Sequence, residues 1–147
     1  MRLSRIYIIK PLDEGTEVTL PEQSAHYIKH VLRLKAGYSV ILFNGEDQTD
    51  YTANIQFSGK QVVASITNSE NKHTESPIAS TIIQAIGKPD HMDYFIQKAS
   101  ELGITHIHLF NSERTQTPLK SLRLEKKMQH WKNIAISACE QCGRNQL

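Results

Sequence analysis

The spacing of apolar residues changes character partway along this chain. In the first half it alternates: Ile6 and Ile8 flank Tyr7, the run Ser39 to Phe43 leads into Asn44-Gly45, and Tyr51, Ala53, Ile55 and Phe57 recur at every second position. Ser58-Gly59-Lys60 then turns into a further run from Gln61 to Ile66. Short alternating runs joined by glycine-containing turns predict a small, mostly antiparallel barrel or sandwich. One helix interrupts it, with Pro21 suited to a first turn, Ala25, Ile28 and Leu32 as its apolar stripe, and Gly37 after its end.

Thr67 to Ser80 is polar, aperiodic and contains Pro77, which marks it as a linker. Beyond it the period becomes helical. Thr81 to Ile86 reads as a buried strand, and Asp90 to Leu102 carries Met92, Phe95, Ile96, Ala99 and Leu102 at helical spacing before Gly103 stops it. Ile104 to Phe110 returns as a strand. A right-handed crossover makes the two strands parallel, so Gly87-Lys88 and Asn111 to Arg114 leave from carboxyl ends, the edge where open α/β sheets bind ligands. A long helix from about Ser121 to Cys142 follows, with Leu124, Met128, Trp131, Ala135, Ala138 and Cys142 as one stripe. Two parallel strands with one or two helices leave a sheet face uncovered, and parallel sheets are buried on both sides. A partner or further chain is therefore expected to supply the missing layer, and Gly143 to Leu147 reads as the start of a connection. The division expected is 1–70, a linker at 71–79, and 80–147.

Composition narrows the class. The 147 residues are 39% hydrophobic, with no apolar run near the ~20 residues of a membrane helix. The short apolar run after Arg5 is too brief for a signal peptide, so a cytoplasmic protein with no membrane partner is expected. Cys139 and Cys142 form a lone Cys-x-x-Cys inside a helical pattern, so no metal is expected and both read as small apolar helix residues. A net charge of +2 does not by itself imply nucleic acid, so any such argument rests on local clustering.

Such clustering occurs around the first helix. His26, Lys29, His30 and Arg33 lie opposite its apolar stripe, Lys35 follows, and Arg2, Arg5 and Lys10 lie on or near the first strand, with Tyr7 among them. Cations beside an exposed aromatic suit phosphates and unstacked bases, although an ordinary solvated helix face carries the same residue types. In the second half Lys88 and Arg114 stand on the ligand edge. Lys98 and Glu101, three apart on one helix face, are expected to form a local ion pair, or Glu101 to buttress Arg114, ahead of any catalytic role. Glu140, Gln141, Arg144 and Asn145 make a polar cluster which the long helix carries roughly 30 Å from its start. A second subunit is the simplest way to join that cluster to the Arg114 edge. The residues by themselves define a binding edge without naming a reaction.

Taken in series, several segments resemble the RsmE family: Arg5-Ile6-Tyr7, His30 to Leu34, Leu42 to Gly45, Gln97 to Gly103, Ser112-Glu113-Arg114 and Ala138 to Asn145. That family methylates a uridine at N3 in 16S ribosomal RNA with S-adenosylmethionine. The resemblance implies a mixed α/β chain, with a PUA-like RNA-binding β-barrel and one helix up to the linker. A SPOUT-type parallel α/β methyltransferase domain, dimeric and knotted at its C-terminal end, would follow. The knot and the donor-binding residues are expected beyond Leu147, so no donor is expected to bind this chain alone. Arg114 and Arg144 are the candidate catalytic residues, and Arg5, Lys29, His30, Arg33 and Lys35 the candidate RNA contacts. The implied partners are 16S rRNA or the assembled small subunit, and a second copy of the chain. A non-catalytic RNA-binding and dimerisation module is the alternative, and a small-molecule α/β enzyme is a third reading.

Overall fold

The computed structural model describes residues 3–115 and 121–147, and the side chains of Ser121 and Leu122 are outside that description. The chain divides into two compact units, one through Thr74 and one from Glu75 to Asn145.

The first unit is a five-stranded sheet in the order β1-β3-β4-β5-β2, formed by β1 (Arg5–Tyr7), β2 (Glu17–Thr19), β3 (Ser39–Phe43), β4 (Thr49–Ser58) and β5 (Gln61–Asn71). Every pairing is antiparallel except β1 with β3. Strand alternation sends Val40 and Leu42, then Ala53 and Ile55, then Val62, Ala64 and Ile66 into one core, where they meet Ile6, Ile8, Leu20, Ala25 and Ile28. The β4–β5 hairpin turns at Gly59, whose φ of 59° lies in the left-handed region that glycine adopts without penalty. Strand β5 continues to Asn71, five residues into the stretch that the sequence reads as linker. Its outer arm, Thr67 to Asn71, is exposed, so ladder pairing with Thr49 to Thr52 defines it and no apolar alternation announces it.

The helix of this unit is not uniform. Glu22–His26 is α-helical (α1), but Tyr27–Val31 widens into a π-helical turn, closed by the Leu32 N–H to the Tyr27 carbonyl at 2.9 Å. Arg33 then takes φ 52°, and the Leu34 N–H reaches back to the Ile28 carbonyl at 3.1 Å. An arginine thus occupies the left-handed position where glycine usually ends a helix.

The second unit pairs β6 (Thr81–Ala85) with β7 (His106–Phe110) in parallel, Ile83 opposite His108 and Ala85 opposite Phe110. Helix α2 (Pro89–Glu101) connects them, and α3 (Ser121–Cys142) follows. Pro89 suits the first turn of α2, and Gly103 at φ 85° ends it. Met92, Ile96 and Trp131 form the core, with Phe95, Ile107, Leu109, Ile134 and Ala135 against them. Three large expected stripe positions fall outside it: Leu102 is exposed past the end of α2, and Leu124 and Met128 are exposed on α3. At the end of α3 the buried thiol is Cys139, whereas Cys142, counted in the expected stripe, is exposed at the last position of the helix, beyond its packed part.

Candidate nucleic-acid interface and ligand edge

On the first unit, the basic face is built by the α1–π segment. No acidic residue occurs between Glu22 and Glu46, so the cations of this stretch have no carboxylate neighbour along the chain. His26, His30, Arg33 and Lys35 are exposed. Lys29 is half-buried: its ammonium donates to the carbonyls of Gly59 (3.2 Å) and Lys60 (2.7 Å) and lies 5.3 Å from the centre of the Phe57 ring. It therefore ties the π turn to the β4–β5 hairpin while its charge stays at the surface.

Arg5 is placed differently from its sequence-stretch neighbours. Its guanidinium is buried, 2.6 Å from Asp50 Oδ1, with the two side chains only 5% and 10% exposed, and it sits 4.8 Å from the centre of the Phe43 ring. A buried charge needs such a partner, and pairing withdraws it from solvent. Tyr7 also leaves the surface in part, packing against Phe43 at 5.6 Å, and burial followed by the charge of Glu46 raises its pKa. Arg2 lies outside the described residues. Lys10, exposed, donates to the Thr19 carbonyl at 3.1 Å.

The second unit carries its two candidate arginines at opposite ends. Ser112 to Thr115 form a tight turn after β7: the Thr115 hydroxyl accepts from the Ser112 N–H at 2.8 Å and reaches the Ile86 carbonyl at 3.5 Å. The loops leaving both carboxyl ends are thereby joined, and the turn holds Glu113 and Arg114 exposed at its tip. Lys88, also exposed, stands at the start of α2 on the same edge.

Arg144 lies at the other edge, because it binds the far end of α2. Its Nη1 donates to the Ser100 carbonyl at 2.7 Å, while Nε and Nη2 hold the Glu75 carboxylate at 2.7–3.1 Å. The pair is nearly buried, at 12% and 11% side-chain exposure. Burial opposes the Arg144 charge, and the hydrogen bonds and charge of Glu75 outweigh it, so its pKa is raised above the ordinary arginine value. The guanidinium thus staples the entry to β6, the end of α2 and the end of α3.

Other polar residues of the unit are engaged locally. Lys98 and Glu101 form the expected ion pair at 2.7 Å, which raises the lysine pKa and lowers that of the carboxylate. Asp93 accepts from the Trp131 indole at 3.1 Å and meets His130 at 2.7 Å, linking α2 to α3; residues 37 and 38 apart give no periodic signal of such a contact. Asn145 is fully buried. Among the described residues no group of three or more His, Cys, Asp or Glu side chains is disposed to hold a metal.

Comparison with known proteins follows the same division. Residues 20–67 match the RNA methyltransferase PUA domain, and residues 74–147 the RNA methyltransferase domain. Ribosomal RNA small subunit methyltransferase E of Buchnera aphidicola from Schizaphis graminum is 34% identical over 99% of this chain and 59% of its own length, and that of Bacillus subtilis 27% identical over 92% and 53%. Among solved structures, Lpg2936 of Legionella pneumophila, in complex with the bound cofactor SAM, superimposes with a TM-score of 0.94 at 36% identity, over the full chain and 61% of its own. Neisseria gonorrhoeae ribosomal RNA small subunit methyltransferase E, bound to S-adenosyl methionine, gives 0.92 at 35%, over 99% and 60%. The chain therefore spans about three fifths of the length of these structural neighbours. With a PUA match on the antiparallel β unit and a methyltransferase match on the parallel unit, in that order, the chain belongs to the RsmE family of RNA methyltransferases.

Proposed function

We propose that the whole protein to which this chain belongs transfers a methyl group from S-adenosylmethionine to N3 of a uridine in 16S ribosomal RNA. It would act in the cytoplasm as a homodimer, on that RNA or the assembled small subunit. The observation that carries this reading is the succession of a PUA-matched unit with an acid-free basic segment and a methyltransferase-matched parallel unit. In this proposal residues 1–70 position RNA, residues 71–79 connect, and residues 80–147 begin the catalytic domain.

On the face of β6 and β7 turned away from the helices, Ile83 is 73% and Phe110 46% exposed, so that face by itself offers no enclosed apolar wall to a cofactor.

For the substrate, the uracil N3–H must lose its proton, and the charge this leaves on the ring must be stabilised while N3 is held in line with the methyl carbon. Arg114 is assigned that stabilising role or a phosphate contact, since it is exposed on the ligand edge. Arg144 is assigned to positioning, through Glu75 and Ser100.

Methyl transfer to small-subunit RNA by the full-length enzyme, with the modified position mapped by mass spectrometry, tests the reading. Methylation of another base or another RNA overturns the uridine assignment. Arg114→Ala is expected to lower kcat and leave stability unchanged, whereas Arg144→Ala is expected to lower stability first.

A further inference from the structure

The π turn does more than carry cations. Side chains four apart lie on one face of a helix, one above the other. The His26 and His30 rings show the result, with centroids 4.5 Å apart and planes tilted by 36°. Beside them Tyr27 and Val31, again four apart, are 38% and 60% exposed. Two short columns, one of imidazoles and one apolar, therefore face solvent together. Arg33 and Lys35 follow, exposed, and Arg33 is held at φ 52°.

Phosphate binding by itself needs none of these exposed rings, because it requires only cations. Exposed flat side chains bordered by cations suit unpaired bases, which present their faces, whereas a duplex hides them. From this juxtaposition we infer that the α1–π face holds single-stranded RNA, an unpaired base stacking on His26, His30 and Tyr27 while Arg33 and Lys35 take the flanking phosphates. The inference rests on the RNA-binding reading above and adds the form of RNA and three residues: His26 and Tyr27 as stacking groups, and His30 as one where it was only a cation.

The test uses the 147-residue chain and a short RNA carrying a fluorescent adenine analogue quenched by stacking, offered single-stranded and as a duplex. The single strand should bind more tightly than the duplex and lose fluorescence on binding. Tyr27→Leu, which keeps apolar bulk, and the double variant His26→Gln/His30→Gln should each weaken single-strand binding about tenfold, within the range for one base on an aromatic side chain. The salt slope should stay unchanged in both, because phosphate contacts set it. Lys35→Gln should instead reduce the slope by about one contact's worth. Circular dichroism establishes folding, and the histidine variant, which alters only exposed rings, decides the matter if Tyr27→Leu unfolds. Equal or tighter duplex binding, or unchanged affinity in both ring variants, overturns the stacking while a Lys35 effect preserves RNA binding. Absence of binding to either form at low salt overturns both readings.

Discussion

The two units bury their sheets to different degrees. In the first, a five-stranded sheet and one short helix enclose a core running from Ile6 to Ile66, and Ile8, Ile28, Val40, Leu42 and Ile55 lose all contact with water. In the second, two parallel strands are covered by α2 and α3 on one face, and the other leaves Ile83 and Phe110 exposed. Antiparallel strands can expose one polar face, whereas parallel strands carry apolar residues on both and need a layer on each side. The first unit covers its core, whereas the second leaves one face of its sheet open among the described residues.

The sharpest way to break this contrast is to remove Trp131, the largest buried side chain of the second unit's core and the donor to Asp93. Trp131→Ala is expected to cost about 3–5 kcal/mol and unfold that unit. Hydrogen exchange should then show β6, β7 and α2 losing protection while β4 and β5 keep theirs. Joint loss in both units would show that the first is not self-sufficient.

The buried arginines offer a matched pair. Asp50→Asn in the first unit and Glu75→Gln in the second each leave a guanidinium without its counter-charge, at an expected cost of about 3 kcal/mol or more. Denaturant unfolding, followed by exchange in each unit, should assign each loss to its own unit. A much smaller effect for Glu75→Gln would mean that water reaches Arg144 easily.

Arg33→Gly separates backbone strain from charge. Glycine accepts φ 52° freely, so the substitution should raise stability by about 1 kcal/mol while weakening RNA binding and lowering its salt slope. Loss of stability would show that the arginine side chain, and not its backbone, holds the turn. On the open face of the second unit, Ile83→Ser should change the chain's stability by no more than about 0.5 kcal/mol and reduce self-association in sedimentation. In the full-length protein the same change should cost about 2 kcal/mol, if that face is covered there.

The smallest effect is alkaline. Burial, followed by the hydrogen bond to Asp47, raises the Tyr51 pKa above its ordinary 10.0, and burial does the same for Tyr7. A raised folded pKa favours the protonated fold, so this stabilisation is complete below about pH 10 and is lost as pH rises through the folded value. Tyrosinate absorbance should lag behind that of free tyrosine, then follow unfolding of the first unit. Titration of all five tyrosines at the ordinary pH would remove the effect.

Local order was legible in the amino-acid sequence because its causes are local. Alternation every second residue gave away β4 and the inner part of β5, helical spacing gave α2 and α3, and Gly59 and Gly103 turn or stop the chain where their positive φ is needed. The unfilled sheet face was also implied, because the requirement for two covered faces follows from strand direction. The tertiary structure alone decided which charges are spent. Arg5 finds Asp50 across 45 residues and Arg144 finds Glu75 across 69, distances over which neither periodicity nor charge spacing carries information. It alone showed the π turn, since Ala25, Ile28 and Leu32 fit the stripe of an ordinary α-helix and no local signal announces the wider winding or the left-handed Arg33.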